Sequence, residues 1–409
     1  MAVVIAHFEN GGGFGGAITS FEEHIRYSPP ECRHLVATSH SDPPTMAALR
    51  RTGSEIIQLP QYRRSGFVQS ALKRVAPVPL LSRVVALTVS AGELLVRFVY
   101  GAAAAWKLRP LGIGAIHLNN GIYFNLEGIV AARLLGVPCL LTVRGLEHVQ
   151  DGMVRMVSPR MTALLTHVFA VSAYVARQLI EWGMPPGRVT TVFETVDVNV
   201  CRQRALDPIP DTELEKPGTP VVVMVGCILP WKGHRVFIEA AGRIIQREGL
   251  RNCAFWIVGG AAPGTEEFLA SLNERSRELG LQIRFLGHQD NVYKWLSHAD
   301  VVVHASVEPE PFGRVIIEAM ALGKPVIATQ IGGPLEIVVN GRNGILVPPN
   351  EPDTLADAVA RVLSDDEMRT RLQQGGIETV ENTFSTARFQ HTLRGVYRQA
   401  VPQLAGGAG

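Results

Sequence analysis

Apolar runs of strand length alternate with longer amphipathic stretches throughout the first half of the chain. Residues 3–7, Cys32–Thr38 and Cys139–Val143 are rich in apolar residues, and stretches such as Leu126–Leu135 repeat apolar positions with the period of a helix. Strands separated by helices are typical of a parallel sheet with helices on both faces. The pattern therefore predicts a doubly wound, Rossmann-like α/β domain over residues 1–206.

A second series of strand and helix signals begins after a proline-rich, charged segment at residues 207–220. Proline and charge at such a junction are typical of a linker between domains. We expect a second Rossmann-like α/β domain over residues 207–383, and a helix with a flexible tail over residues 384–409. The strands predicted in the second domain lie at Val221–Val225, 255–259, 283–286, 301–305, Val326–Thr329 and 344–347.

Length and composition narrow the class of protein. A chain of 409 residues exceeds one typical core, and 46% hydrophobic with 19% charged residues is typical of a soluble globular protein with large buried sheets. A net charge of only +2 does not indicate nucleic-acid binding, so nucleic acid is not an expected partner. No apolar run is long enough to span a bilayer.

The five cysteines are widely spaced along the chain. They form neither a C-x-x-C pair nor a cluster with histidine, which argues against a zinc site. The first residues also lack the basic start and long apolar core of a secretory signal. An odd number of scattered cysteines without such a signal predicts a reducing, cytoplasmic environment.

The segment at residues 304–325 carries the strongest chemical signal. It follows an apolar run at 299–303, breaks at two prolines and a glycine, and continues as an apolar-periodic helix from Arg314. Glu310 and Glu318 flank the start of that helix. A helix amino terminus suits a phosphate, and carboxylates accept hydrogen bonds from sugar and ribose hydroxyls. The segment is therefore a candidate nucleotide-sugar site, and a bare strand–loop–helix unit with surface acids is the alternative.

Glu310 and Glu318, with P-F-G after the first and E-A-M-A from the second, resemble the E-x7-E segment of retaining glycosyltransferases of family 4, which have the GT-B fold. The resemblance implies two doubly wound Rossmann-like domains facing a central cleft, with the final helix crossing back to the first domain. It also implies that Glu310 contacts the donor sugar and Glu318 the nucleotide ribose. Phe312, Gly313 and Arg314 are implied to line the donor site.

Residues 225–233 are similar to the V-G-R-x…K-G segment of the same family, whose arginine and lysine hold the donor diphosphate. Lys232 matches the lysine, but Cys227 stands at the arginine position. A neutral thiol cannot replace the five donors of a guanidinium. The resemblance therefore implies that another arginine, Arg314 or Arg144, supplies the missing charge, or that donor affinity is lower or activity is lost.

Arg144 ends a first-domain strand where many members of the family place a histidine near the transferring sugar. We expect the Arg144 guanidinium to stabilise the leaving diphosphate. His148 is the competing candidate for the role of that histidine.

The glycine-rich loop at residues 10–16 follows the first strand and can bring backbone close to a phosphate. The resemblance implies that Gly15 and Gly16 lie near the donor diphosphate and the acceptor, whereas a tight strand-to-helix turn is the alternative. About twenty residues further on the chain reads P-P-E and has no acid at a strand end, which disfavours a dehydrogenase. Gly287, after the strand predicted at 283–286, is implied to present its backbone to the base.

Three further segments match the family only in part. Ser172 is a predicted helix N-cap. Asp197 is retained from a segment that usually reads N-G-V-D, in which Glu194 and Thr195 replace Asn and Gly, and we expect it to be structural. Glu336 follows two glycines and is predicted to be an acid in the first turn of a helix rather than a ligand.

Residues 62–109 form a long insertion that combines basic with apolar residues. A basic amphipathic stretch can lie on an anionic membrane, which would place the protein peripherally at the inner membrane face. A helix pair that covers the sheet is the alternative, and the pattern favours it.

The resemblance implies a retaining, metal-independent hexosyltransferase that moves a sugar from a nucleoside diphosphate sugar, with UDP as the expected nucleotide, to an acceptor hydroxyl. No D-x-D stands at a strand end, so neither metal nor cofactor is expected. Residues 117–121 and 142–145 are similar to transferases of bacterial surface-polysaccharide assembly and imply a lipid-linked glycan as acceptor. A small natural product is the other acceptor class. A catalytically weak nucleotide-sugar-binding protein and a sugar-nucleotide epimerase are the alternative functions.

Overall fold

The computed structural model describes residues 2–9, 16–60, 95–121, 125–145 and 163–405. The chain packs as two compact units. The first unit comprises Met1–Val171, Val175–Val192 and Thr392–Gly409, and the second comprises Ser172–Tyr174 and Phe193–His391. Each unit is built on one parallel sheet with helices, which confirms the predicted α/β fold class of two Rossmann-like units.

The first unit contains a seven-stranded sheet in the order β3-β2-β1-β4-β5-β6-β7. Its strand order reverses between β1 and β4, and the carboxyl ends of strands at such a switch point are where ligands bind in open α/β sheets. The strands are β1 Val3–Phe8, β2 Cys32–Thr38, β3 Glu55–Gln58, β4 Ile113–Asn120, β5 Cys139–Val143, β6 His167–Ala170 and β7 Val189–Thr191. The helices in the first part of the chain are α1 Gly16–Arg26, α2 Pro43–Arg51, α3 at residues 95–108, α4 Leu126–Leu135 and α5 Ala173–Glu181.

The central strands of this sheet are buried on both faces, as expected for a parallel sheet covered by helices. Ile5, Leu35 and Ile116 are fully buried, and so is Leu140 on β5. The apolar runs that predicted these strands therefore form the core of the first unit.

A group of buried histidines interrupts that apolar core. The rings of His7 and His117, on neighbouring strands, stack with centroids 5.1 Å apart. The Tyr397 hydroxyl lies 2.7 Å from His117 Nδ1 and 3.0 Å from Nε2 of His24, which α1 supplies. His7 Nε2 lies 2.8 Å from Nδ1 of His34 on β2. We call His7, His24, His34 and His117 the histidine cluster.

Tyr397 lies on the last long helix, so the histidine cluster joins that helix to the sheet of the first unit. The helix, α14 Thr386–Ala400, begins in the second unit, and its residues from Thr392 onward pack with the first.

The second unit contains a six-stranded sheet in the order β10-β9-β8-β11-β12-β13. Its order reverses between β8 and β11, which makes their carboxyl ends the corresponding switch point. The strands are β8 Val221–Val225, β9 Ala254–Val258, β10 Ile283–Phe285, β11 Val301–His304, β12 Val326–Thr329 and β13 Ile345–Val347. The helices are α6 Val198–Ala205, α7 His234–Ile244, α8 Glu266–Glu278, α9 Tyr293–Leu296, α10 Arg314–Ala321, α11 Pro334–Ile337, α12 Pro352–Ser364 and α13 Asp366–Thr383, and α15 Pro402–Ala405 closes the described chain in the first unit.

The second unit begins at Phe193, before the proline-rich segment from which the sequence-based boundary was placed. Two polar side chains, those of Thr195 and Asp197, form hydrogen bonds at the start of the second unit. The Asp197 carboxylate accepts from the amides of Asn199 and Val200 and so caps α6, as a structural aspartate would. The Thr195 hydroxyl donates to the Phe384 carbonyl at 2.7 Å. Hydrogen bonds at Thr195 therefore anchor this part of the chain within the second unit.

Most of the insertion predicted at residues 62–109 lies outside the described residues. Its last part is α3, followed by a short 3-10 turn at Arg109–Leu111. In the described parts of the chain, no helix combines the length and the apolar character that a bilayer crossing requires.

Candidate active site

The switch point of the second unit places two predicted site residues side by side. Beyond β8 the chain makes a turn that ends in Lys232, and beyond β11 it forms the loop that carries Glu310. Gly233 lets the two loops meet. It has φ +81°, and a Cβ there would overlap the carbonyl oxygen of Ala305. The close approach of the two loops therefore requires glycine at this position.

The Glu310 carboxylate is held by three side chains that converge on one oxygen. Lys232 Nζ donates to Glu310 Oε2 at 2.6 Å, and the Ser306 hydroxyl donates to it at 3.0 Å. His304 Nε2 lies 3.4 Å from the same oxygen. No residue in the described part of the chain donates to Oε1. One carboxylate oxygen is therefore fixed, and the other is available to a ligand hydroxyl.

Glu310 remains ionised at neutral pH. Burial opposes its charge, since only 12% of the side chain is exposed, but the Lys232 charge and the His304 hydrogen bond outweigh burial. Together they hold the pKa of Glu310 well below its ordinary value. Ionised carboxylates form stronger hydrogen bonds than neutral acceptors do, which suits recognition of a sugar hydroxyl.

Lys232 also lies against an aromatic ring. Its Nζ is 4.1 Å from the ring centroid of Trp231, within the range of a cation–π contact. A lysine ammonium has three donors, and Glu310 accepts from one of them. Lys232 therefore retains hydrogen-bonding capacity for an anion at this edge of the sheet.

A glycine loop fixes the backbone of Glu310. The Gly333 amide donates to the Glu310 carbonyl at 2.7 Å, and Glu310 and Gly332 form an isolated parallel bridge. Gly332 has φ +70°, and a Cβ there would overlap the Glu310 carbonyl oxygen. Any side chain at Gly332 would displace Glu310, so this loop acts on the site through the backbone.

Arg314 lies between two carboxylates within the second unit. Its Nε donates to Glu318 Oε1 at 2.8 Å, and its Nη1 lies 3.7 Å from Glu194 Oε2. The Tyr293 hydroxyl donates to the same Glu318 oxygen at 3.5 Å. All three ionic side chains are about nine-tenths buried. Because buried charges need partners, this arrangement fixes Glu318 in place.

The sequence interpretation missed the role of Glu194. It treated Glu194 as a departure from the usual Asn and treated Arg314 as a cation for a phosphate. The structure pairs the two residues and gives the Arg314 charge two carboxylate partners. The sequence could have predicted the ion pair of Arg314 with Glu318, because these residues have the i,i+4 spacing of a helical ion pair.

Cys227 lies in the turn after β8 as a neutral thiol. Its Sγ is 3.4 Å from the Gly260 carbonyl, and burial raises the pKa of the thiol although Lys232 opposes that shift. The side chain therefore carries no charge at neutral pH. This position supplies no cation to the edge of the sheet.

Phe312 and Gly287 have structural contacts of their own. Phe312 is 4% exposed, and its ring packs on the rings of Phe193 and Phe384 with centroids 6.2 and 5.7 Å away. The Gly287 carbonyl accepts from the Gly259 amide at 2.9 Å, next to β9. Gly313 precedes α10 as its N-cap residue. Phe312 therefore contributes mainly to packing, while Gly287 and Gly313 set the course of the backbone.

Glu336 caps the start of α5, and the Ser172 hydroxyl contacts the Glu310 loop. The Glu336 carboxylate accepts from the amides of Ala173 and Tyr174 at 2.7 and 2.5 Å, while the Ser172 hydroxyl donates to the Pro311 carbonyl at 2.6 Å. Residues Ser172–Tyr174 pack with the second unit, so these bonds lie within it. A carboxylate from α11 satisfies two amides at the start of α5, and the Ser172 hydroxyl holds the Glu310 loop.

The first unit contains the remaining predicted site residues. Arg144 follows β5, and its Nη1 donates to Asn119 Oδ1 at 3.3 Å. Gly16 is the exposed first residue of α1. Gly15 and His148 lie outside the described residues. Within the described ranges, no group of three His, Cys, Asp or Glu residues is arranged to hold a metal ion, and metal independence stays a prediction.

Comparison with known proteins gives two family matches. The family described as "Glycosyl transferases group 1" matches residues 207–379, and the one described as "Glycosyltransferase Family 4" matches residues 76–200. The first match includes Lys232, Glu310, Arg314 and Glu318 of the second unit. The second covers part of the first unit, including Arg144.

Curated relatives agree with these families. The D-inositol 3-phosphate glycosyltransferase 2 of Catenulispora acidiphila is 31% identical over 297 residues, which are 68% of this chain and 69% of that protein. The D-inositol 3-phosphate glycosyltransferase of Corynebacterium glutamicum is 34% identical over 231 residues, or 50% of this chain. The chain spans about half the length of the first curated relatives, 53% in that case.

The fold also matches solved structures over nearly the whole chain. A crystal structure of Anabaena Alr3699/HepE in complex with UDP-glucose superposes with a TM-score of 0.78. The match covers 97% of this chain and 99% of that one at 20% sequence identity. At this identity the likeness shows the fold, and it agrees with the GT-B prediction.

Proposed function

The chain belongs to the glycosyl transferases of group 1, and we propose that it is a retaining, metal-independent hexosyltransferase that uses a UDP-sugar donor. The observation that carries this proposal is the contact between Glu310 and Lys232 at the switch point of the second unit. It puts an acceptor for sugar hydroxyls and a cation for a diphosphate at one edge of the sheet. UDP is proposed because the Anabaena protein of the same fold binds UDP-glucose.

We assign Glu310 Oε1 to the donor sugar and Lys232 to the diphosphate. In the reaction, the bond between the anomeric carbon and the phosphate oxygen breaks, and the acceptor oxygen bonds to the same face of that carbon. The acceptor proton passes to the departing phosphate oxygen. Lys232 stabilises the charge that grows on this oxygen, and electrostatic stabilisation of that kind is often the largest contribution to catalysis. Arg144 of the first unit is the proposed second cation.

Glu318 is proposed to accept from the ribose hydroxyls of the nucleotide. Arg314 and Tyr293 both donate to its Oε1, which fixes the carboxylate for this task. Arg314 is thus a positioning residue in this proposal rather than a ligand of the diphosphate. Cys227 supplies no charge, so Lys232 is the cation proposed for the diphosphate on the second unit.

We propose a lipid-linked glycan as the acceptor, and a second acceptor class has its own support. The curated relatives are named for D-inositol 3-phosphate, which is a phosphorylated polyol. A phosphorylated cyclitol therefore belongs in the same acceptor screen, with small natural-product alcohols as the third class. A catalytically weak donor-binding protein is the outcome if a donor binds but no acceptor is glycosylated.

Removing the Glu318 carboxylate is expected to weaken donor binding about 10- to 100-fold, because a hydrogen bond to a charged group contributes about 1.5–3 kcal/mol. Calorimetry with UDP-, GDP-, ADP- and dTDP-sugars, without metal, would measure this in wild type and Glu318→Ala. Glu274→Ala, at an exposed position on α8, is the matched control. One preferred donor that Glu318→Ala binds weakly supports the site. No binding by wild type across the panel contradicts the proposed function.

Replacing Arg314 by lysine is expected to weaken donor binding about tenfold, because one ammonium cannot hold two carboxylates as a planar guanidinium does. Calorimetry with the preferred donor tests this. Arg275→Lys is the control, since Arg275 also pairs with two carboxylates, those of Glu239 and Glu278, at a partly exposed position away from the site. Equal affinities in Arg314→Lys and wild type would remove Arg314 from the positioning role.

A further inference from the structure

Helix α3, at residues 95–108, presents a row of large apolar side chains to solvent. Leu95 is 66% exposed, Phe98 52%, Val99 59% and Trp106 80%. Four of the nine large hydrophobic side chains that are exposed in the described residues thus lie on this one helix. Scattered exposed apolar residues are normal, but a contiguous group marks an interaction surface.

The four side chains share one face of the helix. At 3.6 residues per turn they fall within an arc of roughly 100°, along roughly 16 Å of helix. The opposite face packs on the first unit, where Ala104 and Leu108 are buried and Arg97 pairs with Glu127 of α4 at 3.6 Å. The exposed face is therefore additional to the face that anchors the helix. We call Leu95, Phe98, Val99 and Trp106 the α3 stripe.

The chain segment that carries the α3 stripe contains only cationic charges, of which Arg97 is paired with Glu127 of α4. Residues 95–111 include Arg97, Lys107 and Arg109 but no acidic residue. Lys107 Nζ donates to the Gln58 carbonyl, and Arg109 is exposed in the turn that follows the helix. An apolar face containing Trp and Phe, with cations at its end, has the composition of helices that lie in the surface of an anionic bilayer. Trp favours this boundary because its indole is both apolar and polar.

We propose that the α3 stripe docks the protein on an anionic lipid bilayer, with the four apolar side chains entering the headgroup region and Lys107 and Arg109 contacting lipid phosphates. Docking is independent of donor chemistry, so it stands or falls separately from the proposed function. A bilayer acceptor would nevertheless be brought to the same unit that carries Arg144.

Sedimentation of the full chain with vesicles tests the docking. Wild type is expected to bind vesicles of phosphatidylcholine with phosphatidylglycerol, to bind pure phosphatidylcholine more weakly, and to lose binding as salt rises. Trp106→Glu and Phe98→Glu are each expected to lower binding at least tenfold, and Lys107→Glu at least about fivefold. Leu206→Glu is the matched control, since Leu206 is 83% exposed in the second unit and is expected to have no effect. Unchanged circular dichroism and thermal unfolding midpoints would show that the variants fold.

Brominated lipid locates the contact. Quenching of tryptophan emission is expected in wild type and is expected to be reduced in Trp106→Phe, which retains the other four of the five tryptophans. Absence of binding to anionic vesicles overturns the proposal. Concentration-dependent self-association that Trp106→Glu abolishes also overturns the proposal, because the α3 stripe would then bind a second copy of the chain. Protection of Trp106 from acrylamide without vesicles, together with no vesicle binding, would instead indicate that another segment of the chain covers the stripe.

Discussion

Glu310→Gln is expected to lower kcat roughly 10²- to 10³-fold, the range found when a group that stabilises developing charge is removed. Glutamine keeps the shape of the side chain but removes its negative charge. Lys232 then loses the carboxylate at 2.6 Å that orients it, and the donor sugar loses an ionised acceptor. Release of nucleoside diphosphate from the preferred donor would give kcat, and calorimetry would give donor affinity. We expect the loss to fall mainly on kcat, because the carboxylate acts on the reacting sugar.

Glu308→Gln provides the control for this experiment. Glu308 lies in the same loop and is exposed, so neutralising it tests for a general effect of loop charge. Its kcat is expected to equal that of wild type. Thermal unfolding of Glu310→Gln is needed as well, because a partly buried lysine that loses its carboxylate partner can destabilise the protein. A folded Glu310→Gln with wild-type kcat would rule out the assignment of Glu310 to the donor sugar.

The fold followed from the sequence because parallel α/β units have a simple local signature. Buried strands such as β8 and β11 are short apolar runs, and their alternation with helices leaves few alternatives. The sequence pattern indicated neither the start of the second unit at Phe193 nor the short strand β7. Both depend on pairing with distant residues, as in the hydrogen bond of Thr195 to Phe384, and not on local apolar pattern.

The site was predictable where chemistry is encoded locally. Glu310, Glu318 and Lys232 lie in motifs whose residues are close in sequence, and the structure brings Glu310 and Lys232 into contact. The partner of Arg314 was not predictable, because Glu194 belongs to another segment and contacts Arg314 only in the folded unit. Whether these side chains act on a donor stays a prediction.

The histidine cluster was the largest feature that sequence reasoning did not find. His7 and His117 stand inside predicted strands, where a histidine looks like an isolated polar residue. The four histidines and Tyr397 come from five separate elements, β1, α1, β2, β4 and α14. Only folding brings these side chains together, and the result is a group of titratable residues in the core of the first unit.

Acidification from pH 7.5 to pH 5 is expected to destabilise the first unit more than the second. Burial holds the pKa values of His7, His24 and His117 well below the ordinary value, and it lowers the pKa of His34 to about 4. Nearby histidines and Arg144 lower the first three further. These rings are therefore neutral in the folded unit across this pH interval.

The sign of the effect follows from proton binding. The unfolded chain protonates its histidines below about pH 6.5, whereas the folded unit does not, so the free energy of unfolding falls as pH falls. Each histidine of this kind contributes about 1.4 kcal/mol per pH unit below that point. His34 adds to this loss of stability until the pH approaches the pKa of about 4 that its side chain has in the folded unit. With four such residues the loss reaches roughly 5 kcal/mol per pH unit, which is comparable to the stability of a whole domain.

Pulse proteolysis in urea at pH 7.5 and pH 5, with fragments identified by mass spectrometry, would give the unfolding midpoint of each unit separately. The midpoint of the first unit is expected to fall sharply at pH 5, and His34→Gln is expected to reduce its pH dependence by about one proton while retaining a hydrogen-bonding partner for His7. His298→Gln is the control, because His298 is exposed in the second unit and carries no such burial cost. Equal midpoints of the first unit at the two pH values would mean that its histidines are protonated in the folded state. His24 and His117, which contact the Tyr397 hydroxyl, would then carry a positive charge in the core. We do not expect this, because both rings are buried and a buried imidazolium without a counter-charge is costly.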